Sequence, residues 1–287
     1  MIAASSTGAM LDALRSAHRV TFSTWFLHDG PVERALVAAA ERGARVQVRL
    51  DGFLYGGTRA MMEGNRAAVR ALRAAGADAK IVHRTGDGPA LHMKAAVCDR
   101  VAFLDDCNWN GAQDTVLRDD NPRHVRAIRQ AAGWHDCIKA GTLSLTKADA
   151  LDDERRVLSS TANCREADVE SEVLHPSGVT SALRALAARG VRCRVLVSAR
   201  AFASDPATRA TVRSLQHAGI DVHAARSSEK LAVLGEKRAW IGSAQSTSTY
   251  RDADEIDWSL HGSDSRFVRL VHARFNAHWR DSKPLTA

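Results

Sequence analysis

At 287 residues, with 45% apolar and 25% charged positions, the chain holds enough apolar surface for one large domain or two of about 140 residues, which excludes a disordered polypeptide. A net charge of +7 and a pI near 9.5 favour anionic partners: phosphate esters, nucleic acid or an acidic membrane surface. No apolar run approaches 18 residues, so no membrane-spanning helix is expected.

The five cysteines (Cys98, Cys107, Cys137, Cys164 and Cys193) are odd in number and form no C-x-x-C pair. They read as reduced thiols rather than a disulfide frame. The opening residues lack a charged segment followed by an apolar one, so no signal peptide is predicted and the expected location is the cytoplasm.

Residues 1–17 read as an amphipathic helix with Met10, Leu11 and Leu14 on one side. Arg19 to Leu27 is a β-rich run closed by His28-Asp29-Gly30-Pro31, and Pro31 suits the first position of the helix Val32 to Arg42, which Gly43 ends. The strand Arg45 to Asp51 completes a β-α-β unit, which implies parallel strands. A helix over Ala60 to Ala75, a strand over Ala79 to Val82 and a polar loop then lead to Leu91-His92-Met93-Lys94-Ala95-Ala96-Val97-Cys98-Asp99.

The same order recurs. The run Asp168 to His175 parallels the Val20 strand, and Val179 to Arg189 followed by Gly190 parallels Val32 to Arg42 followed by Gly43, an offset of 147. Arg192 to Ser198, a helix over Pro206 to Ala218, and Asp221 to Ala224 lead to Ser228-Glu229-Lys230-Leu231-Ala232-Val233-Leu234, where Lys230 answers Lys94 at an offset of 136. The repeat predicts an α/β chain of two similar halves, 1–150 and 151–287. The polar stretch Gly141 to Arg165 between them reads as a solvated linker.

Side chains two apart on a strand share a face, so His92 and Lys94 point at one spot, an imidazole able to attack phosphorus beside a fixed cation. After each motif strand a tight turn returns. In the second half it is Trp240-Ile241-Gly242-Ser243-Ala244-Gln245, where Gly242 permits close backbone approach, Ser243 can donate to a phosphate oxygen and Gln245 offers an amide. In the first half it is Asp105-Asp106-Cys107-Asn108-Trp109-Asn110, with Asn110 set opposite Gln245 at an offset of 135 and Asn108 the rival. The same offset pairs Asp120 with Glu255, a position from which a carboxylate can fix a histidine tautomer.

The pattern H-x-K-x4-D followed by a G-S-x-N-like turn, twice in one chain, resembles the phospholipase D superfamily. His92, Lys94 and Asp99 match the first motif, and Lys230, Gly242 and Ser243 match parts of the second. The resemblance implies two α/β/α halves related by a pseudo-twofold axis and a metal-independent, cofactor-free phosphodiesterase. One histidine takes the phosphoryl group covalently and another protonates the leaving oxygen, while Asp99 is structural.

Here Ser228 stands where the second histidine is expected, Gly235 where the second Asp is, and Gln245 where Asn is usual. Losing a general acid costs about 10²- to 10⁴-fold, and His223, His261 or a second copy of His92 in a homodimer are the alternative proton sources. The expected roles are therefore His92 as nucleophile, Lys94 and Lys230 as phosphate clamp, Ser243 and Asn110 as donors, and Asp120 as the group that orients the imidazole. Asn108, Gln245, Gly242, Ser228 and Glu255 are expected to line the substrate. That substrate is a phosphodiester, either a phospholipid headgroup or nucleic acid, and the remaining reading is a pseudoenzyme that binds phosphate-containing ligands.

Overall fold

The structure is a computed structural model that describes all residues except 1, 28, 55–56, 84–88, 110–115, 135–138, 161–163, 227–228, 248–254 and 286–287. The chain divides into one unit of Met1–Lys147 with Arg251–Trp258 and a second of Ala148–Tyr250 with Ser259–Ala287.

The first unit runs β1 (Ile2–Ser5), α1 (Thr7–Ser16), β2 (Arg19–Thr24), α2 (Pro31–Glu41), β3 (Arg45–Asp51), α3 (Arg59–Ala74), β4 (Asp78–Val82), β5 (Lys94–Cys98), β6 (Val101–Asp105), β7 (Val116–Asp119), α4 (Pro122–Ala132) and β8 (Leu143–Thr146). Its seven-stranded sheet has the order β1-β7-β6-β5-β2-β3-β4, parallel from β2 through β4 and antiparallel elsewhere. The core gathers Phe22, Leu36, Val48, Leu50 and Leu72, with Met10 and Leu14 of α1 laid against them.

The second unit takes α5 (Lys147–Leu158, its first residue counted with the first unit), β9 (Glu166–Ser171), α6 (Gly178–Ala188), β10 (Arg192–Ser198), α7 (Ala199–Ser204), α8 (Pro206–His217), β11 (Asp221–Ala225), β12 (Leu231–Leu234), β13 (Arg238–Gly242), β14 (Ile256–Gly262), α9 (Ser265–Asp281) and β15 (Lys283–Pro284). Its strands follow β15-β11-β10-β9-β12-β13-β14. Beyond β14 lies β8, which shares the first unit with Ile256–Trp258, the opening residues of β14. Leu183, Val195, Val197, Val212 and Trp240 fill its core.

The two units repeat one order, β4-β3-β2-β5-β6-β7 against β11-β10-β9-β12-β13-β14, as the sequence repeat predicts. Equivalent turns share backbone geometry. Gly43 (φ 91) and Gly190 (φ 79) close α2 and α6 in the left-handed region that a side chain disfavours. Asp99 (φ 49) and Gly235 (φ 55) occupy the turns after β5 and β12. The change from Asp to Gly therefore keeps the turn. What it gives up is the carboxylate that, in Asp99, accepts from the amides of His18 (3.2 Å) and Arg19 (2.9 Å).

Two expectations change. Residues 1–17 are not one helix: Ile2–Ser5 add to the sheet against β7, and α1 begins only after Ser6, whose hydroxyl accepts from the Ala9 amide at 3.1 Å. Nor is Gly141 to Arg165 a solvated linker. It contains β8 and all of α5, and Leu143, Leu145, Ala150, Val157 and Leu158 are buried along with the charged Lys147, Asp153 and Glu154. A helix that buries acids as well as aliphatics shows no clean apolar stripe, which hides it from a periodicity reading.

Candidate active site

In the first unit three backbone bonds pin the approach to β5. The Leu91 amide donates to the buried Asp51 carboxylate (2.7 Å), the His92 amide to the Ile256 carbonyl (3.0 Å), and the Ile256 amide back to Ala90 (2.8 Å). This extended path aims His92 and Lys94 at one carboxylate. His92 donates from Nδ1 to Asp257 Oδ1 at 2.9 Å, and Glu255 lies 3.5 Å from the same nitrogen. The Trp25 ring stands edge-on to the imidazole, with centroids 6.4 Å apart.

Lys147, at the start of α5, reaches Glu255 Oε2 at 2.9 Å. Burial by itself would raise the Asp257 carboxyl. The charge and hydrogen bond of His92, aided by Lys94 and Lys147, outweigh it and bring Asp257 down to about 2. Glu255 moves the other way, pushed up by burial and by the Asp257 charge against the pull of His92 and Lys147. With Nδ1 committed to an ionised carboxylate, Nε2 is the ring nitrogen left for attack on an electrophile.

In the second unit Lys230 is 2% exposed, with Nζ 3.7 Å from Glu172 Oε2. Gln245 donates from Nε2 to the same carboxylate oxygen at 2.7 Å and accepts the Val173 amide on Oε1 at 3.1 Å. The Gly242 amide donates to the Lys230 carbonyl (3.0 Å), and Ser243 is fully buried at the end of that turn.

The strand registers correct two equivalences read from offsets. Lys94 pairs with Asp105 as Lys230 does with Gly242, so the counterpart of Gln245 is Asn108. The contacts agree: Asn108 accepts the Phe26 amide (3.4 Å) and the Thr24 hydroxyl (3.2 Å), as Gln245 accepts that of Val173. Asn110, placed opposite Gln245 from the sequence, and Ser228 both lie outside the described residues.

Likewise, Leu104 pairs with Leu117 and Ile241 with Leu260, so Asp120 falls beyond the end of β7 and is not the partner of Glu255. The connection before β14 is longer than the one before β7, and a fixed offset of 135 fails across it. Asp120 sits at the surface beside Arg118 (3.0 Å), while the carboxylate bonded to His92 is Asp257.

The two substitute acids proposed from the sequence are engaged elsewhere. His223 stacks on Trp279 (3.9 Å) and hydrogen-bonds Ser282 (2.8 Å), and His261 lies 3.3 Å from Asp153.

Sequence reasoning missed Asp257 and Lys147. The alternation Glu255-Ile256-Asp257-Trp258 was the available signal for the first, since it puts both acids on one face. Lys147 lay in the stretch read as linker.

Among the described residues, three groups bring histidine and carboxylate atoms within 4.8 Å of one another: His92 with Glu255 and Asp257, Glu166 with Asp168 and His272, and Glu170 with Glu229 and His278. In each a cationic side chain already meets a carboxylate: Lys147 on Glu255, Arg194 on Asp168 and Arg274 on Glu229.

Residues 157–279 match the family model described as cardiolipin synthase, PLD-like domain. That match covers less than half of the chain and lies on the second half of the sequence repeat; the first unit repeats the same strand order.

The phospholipase D-like architecture is also seen in solved structures. Phosphatidylserine synthase from Haemophilus influenzae is similar over 99% of this chain and 87% of its own, at TM-score 0.68 and 9% identity. Polyphosphate kinase from Porphyromonas gingivalis is similar over 96% of this chain at TM-score 0.65 and 16% identity, but the chain spans only 48% of that protein. At these identities the likeness concerns fold. No curated protein matches the sequence. Among the described residues, no helix is long and apolar enough to cross a membrane.

Proposed function

We propose that this phospholipase D-like chain is a phosphodiester hydrolase or phosphatidyl transferase that works through a covalent phosphohistidine on His92. The observation that carries the reading is the hydrogen bond from His92 Nδ1 to a fully buried Asp257, with Lys94 beside the same carboxylate. Nε2 attacks phosphorus, the alcohol leaves, and water or a second alcohol then displaces the imidazole. Asp257 holds the tautomer and offsets the charge that the imidazole gains. Lys94 and Lys230 are read as the cations that hold the non-bridging oxygens, with Ser243 as a further donor. These lysines supply the charge neutralisation, so the chemistry is read as metal-independent. Asn110, Asn108, Gln245, Gly242, Ser228 and Glu255 retain supporting roles in this reading, Asn108 and Gln245 through the backbone they fix.

Incubation with methyl 4-nitrophenyl phosphate, followed by quenching and mass spectrometry, should find the phosphoryl adduct on His92, and His92→Ala should abolish both adduct and turnover. Turnover that survives the substitution would refute the assignment. Headgroup release from mixed micelles supports the lipid arm. Cleavage of DNA, with binding that weakens steeply from 50 to 200 mM salt, would replace it with a nuclease. Tight phosphate binding without turnover would mark a pseudoenzyme.

A further inference from the structure

We infer that Asp51 and His83 are a positioning pair of the first unit, holding the length of backbone that carries His92; this deepens the phosphohistidine reading and rests on it. Asp51 ends β3 and is fully buried. Its Oδ1 accepts the Phe53 amide (2.7 Å), and its Oδ2 accepts the amide of Leu91 (2.7 Å), the residue before His92. His83, directly after β4, presents Nδ1 to the two oxygens at 3.2 and 3.1 Å. A carboxylate taken out of water needs partners of this kind. Burial pushes the Asp51 carboxyl up, and the two amides and His83 pull it only part of the way back.

Oδ2 therefore joins the His83 ring to the chain at His92. The Ile256 carbonyl accepts the next amide, that of His92 (3.0 Å), and Leu91 itself is fully buried. Asn65, also fully buried, donates to the carbonyls of Asp51 (2.8 Å) and Trp25 (2.9 Å), and the Trp25 ring stands edge-on to the imidazole. His83 takes a φ of 48, a left-handed backbone that persists where surrounding contacts impose it. The Phe53 ring packs edge-on against it, with centroids 5.7 Å apart, and the His83 side chain is 5% exposed. Among the described residues neither Asp51 nor His83 bonds the His92 ring, so both act on it through the backbone.

The second unit supplies the contrast. Thr24 pairs with Leu50 as Ser171 does with Val197, and Asp51 pairs with Val82 as Ser198 does with Ala225. Ser198 therefore stands at the place of Asp51, and an exposed Arg226 at that of His83. The same strands form there without the pair, in the half whose sequence has Ser228 in place of the second histidine. A role confined to closing the turns after β3 and β4 would be needed in both halves. A role in holding His92 is needed only in the first.

Rapid-quench measurement of the His92 adduct from methyl 4-nitrophenyl phosphate separates these roles, with denaturant midpoints confirming that each variant is folded. Asp51→Asn turns one acceptor into a donor that faces an amide, and His83→Ala removes the ring. Each should slow adduct formation about 10²-fold, the scale of a misplacement of about 1 Å. Inhibition by inorganic phosphate should stay at the wild-type constant, because neither group is placed against the anion. His83→Asn keeps a donor near the Nδ1 position and tolerates the left-handed backbone, so it should recover most of the rate lost in His83→Ala. Ser198→Ala should leave adduct formation unchanged. Wild-type rates in Asp51→Asn and His83→Ala would overturn the inference. So would a loss that His83→Asn does not recover, or one matched by an equal weakening of phosphate inhibition, either of which marks scaffolding alone. If Asp51→Asn does not fold, the two His83 variants decide. Wild-type protein that turns over without an adduct on His92 would overturn the parent reading and this one together.

Discussion

Asp257 accepts a hydrogen bond from His92 Nδ1 across 2.9 Å, from a strand 165 residues further along the chain. Ile256, one residue before Asp257, holds the His92 backbone through its carbonyl, so one short segment positions both the nucleophile's main chain and its ring.

Replacing Asp257 by Asn keeps the volume and removes the charge. Formation of the His92 adduct should slow by about 10²- to 10⁴-fold, the scale seen when a histidine loses its orienting carboxylate, with KM little changed because the group meets the ring rather than the substrate. Rapid-quench measurement of the adduct reads the step directly. An unchanged rate would mean that the bond only anchors the strand.

Lys147 and Glu255 form a largely buried pair at 2.9 Å, with side chains 5% and 15% exposed. Removing either partner strands the other, which typically costs about 3–5 kcal/mol. Lys147→Met and Glu255→Gln should each lower the denaturant midpoint, and the double variant should lose clearly less than the sum. Strict additivity would show that the two side chains do not support each other.

Much of this architecture was legible in the sequence because the repeat carries its own punctuation. Arg45–Asp51 and Arg192–Ser198 each follow a glycine-ended helix and carry alternate buried Val, Leu or Cys residues, and both are strands over those bounds. The His92 and Lys94 pairing on one face was legible for the same reason, since it needs only the period of a strand. The partner of His92 was not, because loops of unequal length before β7 and β14 break the offset that otherwise maps one half onto the other. Offset reasoning reached Glu255 and stopped two residues short of Asp257. The amide counterpart of Gln245 was displaced from Asn108 to Asn110 for a nearer reason, since the turn after β12 is one residue longer than the turn after β5 and the offset has already grown there.

Glu172 sits 3.7 Å from Lys230 and accepts from Gln245 at 2.7 Å, so a carboxylate competes with any phosphate for that amine. With Glu172→Gln, inhibition by inorganic phosphate or tungstate should tighten about two- to fivefold, the range expected for a partly exposed ion pair. With Lys230→Met it should weaken. Inhibition constants unmoved in both variants would remove Lys230 from the anion site.

Glu154 is fully buried on α5, where Ser246 donates to its two oxygens at 3.1 and 3.0 Å, directly after the motif turn. Burial raises its carboxyl to about 8, only partly offset by that hydroxyl. Below its ordinary value of 4.5 the group is neutral in both folded and unfolded chains, and its contribution to stability is complete. Between 4.5 and about 8 the unfolded chain releases the proton while the folded one keeps it, so stability declines with rising pH, then levels off once the buried group ionises. The loss should be on the order of a few kcal/mol. Glu154→Gln, neutral throughout and able to accept from Ser246, should unfold at nearly the wild-type denaturant midpoint at pH 5 and at a clearly higher one at pH 8.5. Parallel midpoints for the two proteins across that range would show that Glu154 does not keep its proton in the folded chain.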